Sequence, residues 1–134
     1  EEQVYLTAKS AGQLLKEQVS KLTLTMEQTP DGKIQVISGN NALSLSKFAV
    51  AAVSSLAGGA EEQTYPATIT GVSGMDAQME LTMTKAYDLT AVIRAKEGKD
   101  SYQMTAYFIA VTKPAGDGMK TEISWQFDRF AAGK

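Results

Sequence analysis

The segment MDAQMELTMTKAYDLTAVIRAKEGKDSYQMTAYFIAV, residues 75–111, decides the fold. Apolar residues occupy every second position through most of it, which is the period of a half-buried β-strand. Turn signals at residues 86–88 and 97–100 interrupt the alternation. These connections are far shorter than the dozen or more residues of a parallel crossover, so neighbouring strands are predicted to run antiparallel.

The same alternation extends in both directions along the chain. It predicts five C-terminal strands, at residues 63–72, 77–85, 88–96, 101–112 and 119–130. Two earlier strands, at residues 22–26 and 34–38, flank the sequence Thr29-Pro30-Asp31-Gly32, whose composition is typical of a tight turn. The sequence therefore predicts a five-strand meander preceded by an N-terminal hairpin.

A helical period replaces the alternation in ALSLSKFAVAAVSSLAGGA, residues 42–60. Its apolar residues recur three and four positions apart, and Gly58-Gly59 supplies a stop: they are Leu45, Phe48, Ala49, Ala52, Val53 and Leu56. About 15 helical residues fall short of the ~20 that span a bilayer, and the segment lacks the basic face of a membrane-surface helix. We expect a core helix over residues 43–57.

The N-terminal region predicts a short strand at residues 4–8 and a helix over residues 10–20. Ser10 and Gln13 have the spacing of a capping box, and Leu14, Leu15 and Val19 follow at helical intervals. Because the apolar face of the meander needs a cover, we expect an α+β fold in which the sheet curls around one buried apolar helix, residues 43–57. A chain of 134 residues favours a single domain over residues 1–134.

Composition excludes several chemistries. The chain has no cysteine and no histidine, which removes disulfides, thiolate nucleophiles, Ser-His-Asp triads and His or Cys metal sites. Its 13 basic residues are scattered among 15 acidic ones, so no positive stripe favours nucleic acid. No phosphate-binding glycine loop and no calcium-loop spacing occurs either, and we expect no cofactor and no metal.

Two sets of residues could support catalysis. Ser44 and Lys47 have the S-x-x-K spacing of serine acyl enzymes, but the further motifs of those enzymes are missing, and we favour a helix start with serine caps instead. Four carboxylates could supply an acid pair of the glycosidase type: Glu80, Asp88, Glu122 and Asp128. Each falls at a turn or on the polar strand face, where carboxylates are commonly only solvated. We expect no enzyme activity.

The strand SYQMTAYFIAV, residues 101–111, departs from the alternation because both of its faces are apolar towards its end. Tyr107, Ile109 and Val111 lie on the face opposite Phe108. Two explanations remain open: the N-terminal helix covers these residues, or they form an exposed patch that meets a partner. Tyr65, Tyr87 and Trp125 are further candidate anchors, since aromatic residues are enriched in binding hot spots.

These features predict a small extracytoplasmic binding protein without catalysis, which recognises a protein partner as an inhibitor, immunity protein or assembly factor does, or associates with a second copy. The extracytoplasmic location is suggested by the threonine-rich, cysteine-free composition. One alternative is a carrier whose helix and sheet enclose an apolar small molecule, with an adaptable lining of methionines: Met75, Met79, Met83 and Met104. The other is an enzyme that uses the carboxylates.

Overall fold

The computed structural model describes residues 2–28, 34–39, 45–72, 75–114 and 120–132. The predicted turn at residues 29–32, the serine at position 44 and the side chains of Lys47 and Met75 lie outside the described part. Nine elements follow one another within it: α1 (Glu2–Ser20), β1 (Thr23–Gln28), β2 (Ile34–Gly39), α2 (Leu45–Ala57), β3 (Glu62–Val72), β4 (Met75–Thr84), β5 (Leu89–Glu97), β6 (Asp100–Pro114) and β7 (Lys120–Ala132).

All seven strands join one antiparallel sheet, in the order β2-β1-β7-β6-β5-β4-β3. The five C-terminal strands form the predicted meander, and the N-terminal hairpin joins it through β1 and β7, where Leu24 pairs with Ile123. The sheet curls, and a helix packs against its inner face. The α+β class and the curled antiparallel sheet are thus confirmed.

The N-terminal helix corrects one prediction. Residues 4–8 are not a strand, because α1 runs without interruption from Glu2 to Ser20. Its buried stripe recurs every three to four residues, as a helix packed on one side requires: Val4, Ala8, Ala11, Leu15 and Val19. Two of the five are alanines, so the stripe is only weakly apolar.

The helix on the inner face of the sheet is α1, not residues 43–57 as expected. It contacts β3, β4, β5, β6 and β7. Small residues explain why it can lie there: a Cβ atom added at Gly12 would stand 3.1 Å from Phe130 and 3.2 Å from Met104. Close approach of helix and sheet therefore depends on the small side chains of α1.

The second helix packs against β2 and β3, the two edge strands of the sheet. It is buried on one side only, where Ala49, Ala52 and Val53 are inaccessible, while Ala51 and Ser54 on the other side are exposed. The expectation that α2 is the enclosed centre of the domain is therefore wrong. It closes the space between the two edges instead.

The predicted glycine stop of α2 is confirmed in detail. The amide of Ala60 donates to Ser55 O, and the amide of Gly59 donates to Leu56 O, each at 3.1 Å. This is the hydrogen-bond pattern of a Schellman motif, which needs a left-handed residue. Gly59 supplies it, with φ of 111°.

A β-bulge in β7 sets the side-chain directions near its end. Tyr107 pairs with Arg129, but the next residue of β6, Phe108, pairs with Phe127, so Asp128 is an extra residue in β7. The bulge lets both Phe127 and Phe130 face α1, their ring centroids 4.7 Å apart. It also directs Arg129 towards the outer face.

Among the described residues, the buried apolar side chains form a single cluster that includes residues of both helices and five of the strands, and partly buried Tyr65 and Ala67 of β3 pack against it. One polar side chain is enclosed with them: Thr7 of α1 is inaccessible, and its Oγ1 has no hydrogen-bond partner among the residues that the structure describes. Within those same residues, neither helix is both long and apolar enough to cross a bilayer.

Candidate functional site

An exposed apolar strip lies on the outer face of the sheet, along β6. The side chains of Ile109 and Val111 are 48% and 41% exposed, and Tyr107 beside them is half-buried. Of the two explanations that the sequence left open, cover by the N-terminal helix is wrong, because α1 packs on the opposite face, near Met104 and Phe130. The strip is open to solvent in the described structure.

A cation extends this strip. The guanidinium of Arg129 lies 4.1 Å from the centroid of the Tyr107 ring, in a cation–π contact, and it also pairs with the carboxylate of Asp128. The bulge at Asp128 makes this contact possible, since it turns Arg129 outward. We refer to Tyr107, Ile109, Val111 and Arg129 as the outer-face patch.

Polar groups surround the outer-face patch. Gln126 is opposite Ile109 and Ser124 is opposite Val111 on the neighbouring strand. Beyond them Lys113 Nζ lies 3.3 Å from Glu122 Oε1. An apolar centre with a polar rim is the usual arrangement of a protein-binding surface.

The turn between β4 and β5 is hydrogen-bonded to β7, next to this strip. Trp125 Nε1 donates to Tyr87 O at 2.7 Å, and the Tyr87 amide donates to Thr84 O at 2.8 Å. Tyr87 adopts a left-handed conformation with φ of 70°, which is unusual for a non-glycine residue. Partial burial of its ring raises the pKa of the Tyr87 phenol above its ordinary value. These contacts hold the turn against β6 and β7.

Asp88 protects the backbone edge of β6 in the part of that strand that does not pair with β5. Pairing of the two strands begins at Leu89 and Phe108, so β6 beyond Phe108 has an open side. There the Ala110 amide donates to Asp88 Oδ1 at 2.8 Å, and β6 ends at Pro114, which has no amide hydrogen. Both features oppose pairing with a further strand.

The six residues that the sequence marked as binding candidates lie in different places. Tyr107, Ile109 and Val111 are together on the outer face. Tyr87 and Trp125 are at the same end of the sheet, but Trp125 is buried on the inner face. Tyr65 is distant from both, on edge strand β3, where its ring meets Phe48 of α2 edge-on at 4.8 Å. Arg129 was not among the candidates.

A second feature is an aromatic cleft between α1 and the sheet, with a volume of about 190 Å³. Six residues line it: Tyr5, Lys9, Tyr102, Met104, Phe130 and Ala132. The rings of Tyr5 and Tyr102 stand edge-to-face, with centroids 5.0 Å apart and an interplanar angle of 85°. The sequence predictions missed this cleft because they placed a strand at residues 4–8. The helical spacing of Tyr5, Lys9 and Gly12 was the available signal.

A larger depression of about 490 Å³ follows the solvent side of α1. Its lining is polar except for Leu14: Gln13, Leu14, Lys16, Glu17, Ser20 and Lys21. Leu14 and Leu6 are 37% and 43% exposed on this helix. The depression has no convergent set of groups that would suit a particular ligand.

Two of the candidate acids, Glu122 and Asp128, lie on β7, while Glu80 lies on β4 and Asp88 directly precedes β5, and most of the four have structural partners. Asp88 accepts from the Ala110 amide, Glu122 pairs with Lys113, and Asp128 pairs with Arg129. Glu80 is exposed on β4, opposite Val92. Within the described ranges, no group of three or more acidic residues could hold a metal ion.

Of the methionines proposed to line a carrier pocket, Met79, Met83 and Met104 belong to the buried cluster. Met104 alone also borders the aromatic cleft.

The fold and these surfaces define a class: an α+β protein with a curled antiparallel sheet, a helix on its inner face and an exposed patch on its outer face. No protein-family model, curated protein or solved structure matches the chain. Its function is therefore inferred from the geometry alone.

Proposed function

We propose that this chain is an extracytoplasmic, non-catalytic binding protein that recognises a protein partner through the outer-face patch. The single observation that supports this function most is the exposure of Ile109 and Val111 on a strand whose other face buries Met104, Ala106 and Phe108. Exposed apolar side chains that adjoin one another and have a polar rim are typical of interfaces.

The composition of the patch favours tight contact. Tyrosine and arginine are among the residues that contribute most to binding energy, and here Arg129 is already stacked on Tyr107. The stacking fixes two long side chains before any partner arrives, so less side-chain entropy is lost on binding. The expected partner surface is apolar at its centre and carries an acceptor group that faces Arg129.

The backbone around the patch favours recognition through its face and not through its edge. The Asp88 carboxylate accepts the hydrogen bond of the Ala110 amide, and β6 ends at Pro114. A partner strand could not form a regular ladder there. The hydrogen bond from Trp125 of β7 to Tyr87 O also ties the β4–β5 turn to the neighbouring strand.

The test compares three immobilised proteins as baits: the wild type, an Ile109→Ser/Val111→Ser variant and a control variant. The control, Thr64→Ser/Thr82→Ser, changes the same outer face on β3 and β4, where the two threonine hydroxyls lie 3.2 Å apart. Partners are captured from the envelope and secreted fractions of the source cells. Affinity of any captured protein is then measured in solution with purified components.

We expect the patch variant to lose at least tenfold in affinity for the partner, mainly through faster dissociation, while the control binds as the wild type does. Because Ile109 and Val111 are exposed, the patch variant should keep the stability of the wild type. A partner that binds all three baits equally would contradict the proposal, as would the capture of no saturable partner by the wild type.

A further inference from the structure

The aromatic cleft has the chemistry of a site for a small organic anion. Its walls are rings and a methionine, and its rim carries one ammonium group, on Lys9. The register of β6 and β7 sets Met104 beside Ala132, and the bulge at Asp128 brings Phe130 to the same face. The first half of α1 closes the other side through Tyr5 and Lys9.

Lys9 has no carboxylate partner among the described residues. By contrast, Lys85, Lys113 and Arg129 each pair with a carboxylate. The nearest polar contact of Lys9 Nζ is the hydroxyl of Tyr5, at 3.5 Å. An ammonium with no carboxylate partner in the described ranges, next to a phenol hydroxyl, offers two hydrogen-bond donors at the mouth of an apolar cleft.

The size of the cleft restricts the ligand. A volume of about 190 Å³ is below the ~300 Å³ at which pockets for drug-sized molecules begin, so a long acyl chain would not be enclosed. The edge-to-face arrangement of Tyr5 and Tyr102 favours a third flat ring, because aromatic rings prefer edge-to-face and offset contacts.

We propose that the cleft between α1 and the β6–β7 strands binds a single-ring aromatic carboxylate, with the ring against Tyr5, Tyr102 and Phe130 and the carboxylate on Lys9. The proposal does not depend on the outer-face patch, which lies on the other face of the sheet. Either function can fail without the other.

The experiment uses phenylacetate as the probe and the Met104 methyl group as the reporter. In a protein with ¹³C-labelled methionine methyls, a ring that enters the cleft should shift the Met104 resonance by its ring current. The Met79 and Met83 methyls are internal controls, since both are buried outside the cleft lining. Titration of the Met104 shift gives the dissociation constant.

Two variants and two further probes separate the contributions. Lys9→Met should weaken phenylacetate binding about tenfold, which is the usual scale for loss of a charge-assisted hydrogen bond. Lys16→Met is the matched control: it removes the same charge from the same helix, where Lys16 lies over Phe127 outside the cleft lining. Benzyl alcohol tests the need for the anion, and cyclohexanecarboxylate tests the need for the ring.

The proposal is supported if phenylacetate shifts the Met104 methyl resonance in a saturable way. Lys9→Met should then weaken the affinity obtained from this shift, and Lys16→Met should leave that affinity unchanged. Three outcomes would overturn it: no saturable shift of Met104 with phenylacetate, equal affinity of the Lys9→Met variant, or binding of benzyl alcohol or cyclohexanecarboxylate as tight as that of phenylacetate. Lys9 is exposed and Lys16 is half-buried over Phe127, so both variants should fold, and circular dichroism checks this independently.

Discussion

At the scale of single residues, Thr7 is the clearest conflict between a side chain and its surroundings. It lies in the buried stripe of α1, with an accessibility of 0%, and its hydroxyl has no hydrogen-bond partner among the described residues. Enclosing a hydroxyl without a partner costs about 1–3 kcal/mol. Valine has nearly the same shape and lacks this cost.

We therefore expect Thr7→Val to raise the free energy of unfolding by about 1 kcal/mol, measured as the urea midpoint at constant slope. Thr7→Ser is the matched control: it keeps the hydroxyl and removes a buried methyl group, so it should lower stability by a similar amount. If Thr7→Val were instead destabilising by 1 kcal/mol or more, the hydroxyl would have a structural partner that the geometry does not reveal.

Residue-level prediction from sequence succeeded where the period of two is unbroken. Tyr107, Ile109 and Val111 share a face in the sequence and in the structure, because no irregularity separates them within β6. It did not mark Arg129 and Phe130, which follow the bulge at Asp128. One extra residue reverses the facing of everything beyond it, and nothing in the local composition marks its position.

At the scale of elements, α2 acts as a cover for the two edges of the sheet. Edge strands expose unpaired amides and carbonyls that can recruit other chains. Contact of one helix with both β2 and β3 protects these edges together, and Pro66 on β3 adds a residue that cannot donate. The packing face of α2 should therefore control both stability and self-association.

Ala52→Glu tests this role, because Ala52 is inaccessible on the packing face of α2. A buried, unpaired carboxylate should lower the free energy of unfolding by several kcal/mol and release the edge strands, so that light scattering detects oligomers. Ala51→Glu places the same group one residue away on the exposed side, and it should change stability by less than ~0.5 kcal/mol. Equal behaviour of the two variants would show that α2 does not cover the edges.

The exchanged roles of the two helices have a physical cause. The apolar face of the meander needs a cover, and hydropathy selects residues 43–57 as the most apolar helix for it. The inner face of the sheet instead accepts α1, whose stripe contains Ala8, Ala11 and the adjacent Gly12, because backbone approach there leaves no space for larger side chains. Steric fit between elements is not visible in the hydropathy of either element.

At the scale of the whole molecule, the meander could be predicted because its connections are local. Only a few residues separate consecutive strands from β3 to β7, so order and direction follow from the chain. The pairing of β1 with β7 joins residues about a hundred positions apart, and local patterns carry no information about it. Yet this pairing brings the N-terminal hairpin into the same sheet as the meander.

A single buried cluster that includes both helices predicts cooperative unfolding of the described structure. Trp125 is the only tryptophan and is buried beside the β4–β5 turn, so its fluorescence reports on the sheet, while far-ultraviolet circular dichroism is dominated by the helices. The two urea transitions should coincide.

Leu15→Ala in α1 and Leu56→Ala in α2 should each lower the free energy of unfolding by about 2–5 kcal/mol and shift both transitions together. If the Leu56→Ala variant lost helical signal at a lower urea concentration than it lost tryptophan burial, α2 would unfold as a separate unit, and its cover of the two sheet edges would contribute nothing to the stability of the rest.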